Sequence, residues 1–119
     1  MKRTLDNYAI ECHEASKRWW TNLETGEYPI YRNTGEILML MVSELAEAME
    51  GDRKGLQDDK LPQYKMLDVE LVDCLIRIFD FAGKNNIPLQ EIYEAKMGYN
   101  SRREDHKPEN RLKPGGKKY

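Results

Sequence analysis

The chain is expected to fold as an all-α protein, a bundle of four to five helices. Apolar residues recur at spacings of three and four along four separate stretches, the period of one helical face. Between these stretches lie segments carrying Gly, Pro and Asn, and the longest of them, residues 21–33, shows neither a helical nor a strand period.

The first helix is marked by Leu5, Tyr8, Ala9, Cys12, Ala15, Ser16 and Trp19 on one stripe, with Thr4 or Asp6 as cap and an end near Trp20. Residues 21–33 contain Gly26, Pro29, Asn22 and Asn33 and read as a loop long enough to cover a ligand. A second helix runs from Thr34 to about Lys54 on the stripe Leu38, Met41, Val42, Leu45 and Met49, weakened and ended by Gly51 and Gly55. Pro62 suits the first turn of a third helix, which carries Leu67, Leu71, Val72, Leu75, Ile76, Phe79 and Ala82 and stops between Gly83 and Asn86. Ile87-Pro88 restarts the chain into a fourth helix with Leu89, Ile92, Tyr93, Lys96, Met97 and Asn100. Beyond Ser101 the composition turns polar and basic, with Pro and Gly but no apolar period. Residues 1–104 are therefore expected to form the helical domain and residues 105–119 an extended or partly ordered tail.

At 119 residues the chain is one domain, small enough that self-association would add useful burial. Its 19 basic and 21 acidic residues leave a net charge of -2, which does not suggest a nucleic-acid binder. The longest apolar run, Ile37 to Val42, is far short of the ~20 residues of a membrane span, and no secretory signal follows Met1. A soluble, cytoplasmic protein is expected. Cys12 and Cys74 lack CxxC spacing and read as reduced, packed thiols, while His13 and His106 stand apart as structural or solvated residues.

Two acidic pairs of equal spacing, Glu44/Glu47 and Glu70/Asp73, lie on the second and third helices with 22 residues between them. Residues three apart share a helical face, so each pair can aim both carboxylates at one spot. Antiparallel packing of the two helices would bring four hard oxygen donors together, the ligand set that Mg2+ or Mn2+ prefers. At ~100° per residue, Glu70, Asp73 and Arg77 fall within about 60° of one another, opposite the stripe of Leu71, Val72, Leu75 and Phe79. Carboxylates so placed are more often plain solvated surface. Against that, Leu40 shares the face of Glu44 and Glu47, and Val69, Cys74 and Ile78 widen the apolar surface of the third helix. A second contact, with a bundle mate or another subunit, would partly bury the carboxylates and call for a cation. Arg77 is expected to pair with a neighbouring carboxylate.

The run Ser43-Glu44-Leu45-Ala46-Glu47-Ala48, followed by Glu70-Leu71-Val72-Asp73, resembles the E-x-x-E … E-x-x-D signature of the MazG-like all-α nucleoside triphosphate pyrophosphohydrolases. Lys96 to Arg103 resembles that family's K-x-x-x-N-x-x-R segment, and Trp19-Trp20 an aromatic feature of some members, so the resemblance covers roughly Tyr8 to Arg103. It departs at the tail, where Pro108 and Pro114 lie in the segment separating His106 from Gly115-Gly116-Lys117.

The resemblance implies hydrolysis of a nucleoside triphosphate between the α- and β-phosphates to a monophosphate and pyrophosphate. It also implies Mg2+ or Mn2+ held by Glu44, Glu47, Glu70 and Asp73, with Glu47 as the candidate acceptor of the water proton. Lys96 and Asn100, four apart on one face, and Arg103 one turn on, would bind phosphate or sugar oxygens, and Trp20 would stack the base. A homodimer or homotetramer follows from the excess apolar surface of the second and third helices and from the resemblance alike. A di-iron carboxylate bundle is disfavoured because neither His13 nor His106 follows a Glu by three residues. The alternative of a different class is a non-catalytic helical module that keeps the bundle and binds nucleotide or protein as a regulator.

Overall fold

The computed structural model describes residues 2–119, with the side chain of Glu104 left out of account. Its α-helices are α1 (Leu5–Ser16), α2 (Thr34–Lys54), α3 (Met66–Lys84), α4 (Leu89–Arg102) and α5 (Pro108–Arg111). Short 3-10 turns occupy Lys17–Trp20 and Glu104–His106, and no strand occurs among the described residues beyond one isolated bridge between Gln57 and Lys65. The protein is all-α, as its periodicity predicts. None of these helices is long and apolar enough to cross a membrane.

Local chemistry explains most boundaries. Thr4 caps α1 in a reciprocal pair with Asn7: Asn7 N donates to Thr4 Oγ1 at 3.2 Å and Thr4 N to Asn7 Oδ1 at 2.8 Å. Asn33 accepts from Glu36 N at 3.0 Å to open α2. That helix passes through Gly51 and ends at Gly55, whose φ of 63° is the left-handed C-terminal conformation glycine adopts without strain. Gly51, expected only to weaken α2, permits close approach of the next helix, because a Cβ there would meet the Met66 Cβ at 2.8 Å. Pro62 does not open α3; it sits in a turn organised by the buried Asp58 carboxylate, which accepts from Lys60 N at 3.0 Å and Leu61 N at 2.8 Å.

Contacts divide the chain into two units, Met1–Ile87 and Pro88–Tyr119. In the first, α3 is the central element and packs against both α1 and α2. Glu44 of α2 meets Arg77 of α3, and Gly51 faces Met66, so residue numbers rise on one helix as they fall on the other and the two run antiparallel. By the same test α1 is antiparallel to α3, with His13 beside Asp80 and Ala9 beside Gly83.

Much of the apolar stripe of α3 is left outside this packing, although Phe79 stacks on Tyr8 of α1 and Ala82 is buried. Leu71, Val72 and Leu75 remain about half exposed, as do Leu38, Val42, Leu45 and Met49 of α2, while the buried residues of α3 are Glu70, Cys74 and Ala82. Small side chains, Ala9, Ala48, Cys74 and Ala82, form most of the buried apolar set together with Trp20 and Ile37. The acidic face of α3 is thus turned inward, as the convergence of the acidic pairs requires, because the acidic residues lie on the side of α3 that α2 covers.

In the second unit the tail is not extended. After the Glu104–His106 turn and α5, Arg111 donates through Nε to Lys117 O at 3.2 Å and through Nη2 to Lys118 O at 2.9 Å, folding the last residues back. Gly116 permits this return, since a Cβ there would lie 2.6 Å from Asn110 O.

Candidate metal centre

Antiparallel α2 and α3 bring Glu44, Glu47 and Glu70 together, and one carboxylate oxygen from each lies within 4.8 Å of the others. Glu44 and Glu70 are buried, each 8 % exposed, and Glu47 is open to solvent. Glu44 Oε1 accepts from Arg77 Nε at 2.9 Å, the pairing expected for that arginine. Glu70 Oε2 is buried and has no hydrogen-bond partner among the described residues. A buried carboxylate oxygen without a donor is costly and calls for a proton or a cation.

The electrostatics reflect that demand. A hydrogen bond to Glu44, burial, and the hydrogen bond and charge of Glu47 push the Glu70 carboxyl up to about 8. Burial also raises Glu44, but hydrogen bonds from Glu70 and Arg77 outweigh it and hold that group below the usual carboxylate range. The proton rests on Glu70 because Arg77 already compensates Glu44. Asp73 stands outside the trio, yet it shares in the cluster: burial and the charge of Glu44 raise its carboxyl, offset in part by a hydrogen bond with Glu70. Three or four hard oxygen donors and an unsatisfied buried oxygen suit a small divalent cation, so the residues fit a metal site.

A cavity of about 490 Å3 adjoins the cluster, with Glu44 and Asp73 on its wall beside Arg77, Arg32, Trp19 and Asp80. Trp19 is 63 % exposed on this wall. Trp20, the tryptophan expected to stack a base, is only 4 % exposed and donates its indole N–H to Asp80 Oδ1 at 3.1 Å and Oδ2 at 3.0 Å. His13 Nδ1 lies 2.9 Å from Asp80 Oδ1, and His13 Nε2 lies 2.6 Å from the Tyr28 hydroxyl. A carboxylate only accepts, so Nδ1–H donates to Asp80, and in the neutral ring Nε2 then accepts from Tyr28. His13 is structural in the sense expected, but it is not isolated. Asp80 escaped the sequence reading, although its place seven residues after Asp73 puts it on the same face of α3 and could have drawn attention to it.

The other expected binding residues belong to the second unit. Lys96 Nζ lies 5.0 Å from the Tyr99 ring centroid, and the Arg103 guanidinium lies 5.8 Å from the same ring. Arg103 forks the Asp105 carboxylate, Nε to Oδ1 at 3.0 Å and Nη2 to Oδ2 at 2.6 Å, and Lys117 Nζ reaches Asp105 Oδ2 at 2.9 Å. These two cations hold the Asp105 carboxyl well below its ordinary range. Asn100 Oδ1 is buried with no hydrogen-bond partner among the described residues.

Comparison of the chain with protein-family models, curated proteins and solved structures gave no match.

Proposed function

We infer that the chain is a Mg2+-dependent nucleoside triphosphate pyrophosphohydrolase of the MazG-like type, cleaving an NTP or dNTP between the α- and β-phosphates, and that it works as a homodimer or homotetramer. The observation that carries the inference is the meeting of Glu44, Glu47 and Glu70 from two helices around the unpartnered Glu70 Oε2, beside a cavity large enough for a nucleoside. Glu44, Glu47 and Glu70, with Asp73 alongside, would hold the metal. When bound, Mg2+ or Mn2+ supplies neutralising charge to an anionic triphosphate and Lewis acidity at the reacting phosphorus. Arg77 fixes the Glu44 carboxylate through Nε, so that one ligand of the set is oriented in advance. Glu47 is the member of the trio open to solvent, and its carboxylate is the group placed to take a proton from an attacking water. The half-exposed stripes of α2 and α3 support self-association, because burying them against a second copy recovers the apolar stabilisation that the single chain forgoes.

The product test is direct. Incubation with Mg2+ and a triphosphate panel in heavy-oxygen water should release pyrophosphate and place the label on the monophosphate. Label in orthophosphate, formed with no pyrophosphatase present, would mean attack at the terminal phosphate and a different reaction.

A further inference from the structure

We propose that Asp80 determines which base the protein accepts, selecting amino-bearing bases, cytosine or adenine, over their keto counterparts. Given the pyrophosphohydrolase function inferred above, a substrate must place its α-phosphate at the carboxylate cluster and its base elsewhere in the adjoining cavity. Asp80 lies seven residues beyond Asp73 on α3. That is two turns less about 20°, so it shares Asp73's face at a distance of about 10 Å along the axis. This is the reach of a nucleoside from its α-phosphate to the edge of its base. Trp19, largely exposed on the same wall, offers an aromatic face for stacking.

The hydrogen bonds of Asp80 define what it can read. Its two donors among the described residues, His13 Nδ1 and Trp20 Nε1, come from residues that do not line the cavity, whereas Asp80 itself does. Trp20 Nε1 spans both oxygens and fills the fork of the carboxylate, and His13 takes a further position on Oδ1. Among the described residues Oδ2 takes no hydrogen bond beyond that from Trp20, which leaves its outer side as an acceptor. With the fork filled, guanine cannot bind in two-point fashion through N1–H and its 2-amino group. The ring N–H of uracil or hypoxanthine is flanked by at least one carbonyl oxygen that would be brought against the same carboxylate. An exocyclic amino group projects beyond the ring and can donate to Oδ2 without that repulsion. A keto oxygen at the same place would face an acceptor with no proton between them.

The experiment compares matched pairs. Wild-type protein with Mg2+ is assayed for kcat/KM on CTP against UTP and on ATP against ITP, and its tryptophan fluorescence is titrated without metal using cytidine against uridine and adenosine against inosine. The amino member of at least one pair should be preferred by roughly tenfold or more in both assays, the discrimination expected of a buried hydrogen-bond acceptor facing the wrong group. Asp80→Asn, which can donate to a keto oxygen, should reduce or invert the ratio, mainly through KM. Equal or keto-favouring ratios in the wild type overturn the proposal whether or not the variant folds. Turnover without base preference sinks Asp80 as the reader and leaves the reaction standing. Amino-selective nucleoside binding without any triphosphate turnover sinks the reaction and leaves the base site standing.

Discussion

In the metal-free protein Glu70 should make stability fall as pH rises through the neutral range, and Glu70→Gln should remove that dependence. Its carboxyl is pushed from an ordinary 4.5 up to about 8, first by its hydrogen bond to Glu44 and then by burial. Between those limits the folded state binds a proton that the unfolded state has released, so the stability gradient with pH is negative. The protonated form is fully stabilising below about pH 4.5, and the penalty is complete above about pH 8. At about 1.4 kcal/mol per pH unit, moving from about pH 5.5 to about pH 7.5 costs the wild type on the order of 2–3 kcal/mol. Glutamine keeps an N–H donor for Glu44 but cannot ionise, so the variant lacks this loss. Urea unfolding in EDTA, at one protein concentration for both proteins, reads the difference. With a urea m-value of 1–3 kcal/mol/M, the wild-type midpoint should drop by roughly 0.7–3 M more than that of Glu70→Gln over the interval. Saturating Mg2+ at about pH 7.5 should then restore the wild type preferentially, by mass action on the folded state. Parallel pH profiles for the two proteins in EDTA would refute the shared-proton cluster.

Other expectations test separate parts of the structure. Glu47→Gln and Asp73→Asn should each lower turnover by about 100-fold or more while leaving the circular dichroism spectrum unchanged; undiminished Mg2+-dependent activity in both would remove them from the site. Gly83→Ala should destabilise by about 1–3 kcal/mol, because its Cβ would sit 2.8 Å from the His13 Cβ and press on the Ala9 carbonyl, and a thermal melt unchanged from wild type would contradict the α1–α3 approach. Light scattering at micromolar concentration should show a dimer or tetramer that Val72→Glu weakens, whereas a stable, active wild-type monomer would refute assembly through the exposed stripes.

The helices were legible in the sequence because their signals are local. Thr4, Asn33 and Gly55 act through hydrogen bonds and backbone angles within a few residues of themselves, and α2 begins at Thr34 and ends at Lys54 as periodicity and glycine placement predict. The pairing of Arg77 with a carboxylate was equally legible, since both acidic pairs have helical spacing. What the sequence could not decide was which face of α3 turns inward. An isolated amphipathic helix is expected to bury Leu71, Val72 and Leu75, yet α2 packs against the side carrying Glu70, and the leucine-valine stripe is left to solvent within the single chain. That choice depends on the register of two helices far apart in sequence, set by Gly51 against Met66 and by Arg77 against Glu44. Nor does any local signal join His13 to Asp80, 67 residues away, or make Trp20 rather than Trp19 the buried neighbour. Propensity and spacing determine where helices begin, end and carry charge; only tertiary packing decides which charges meet, because burial and hydrogen bonding are properties of pairs of elements rather than of one.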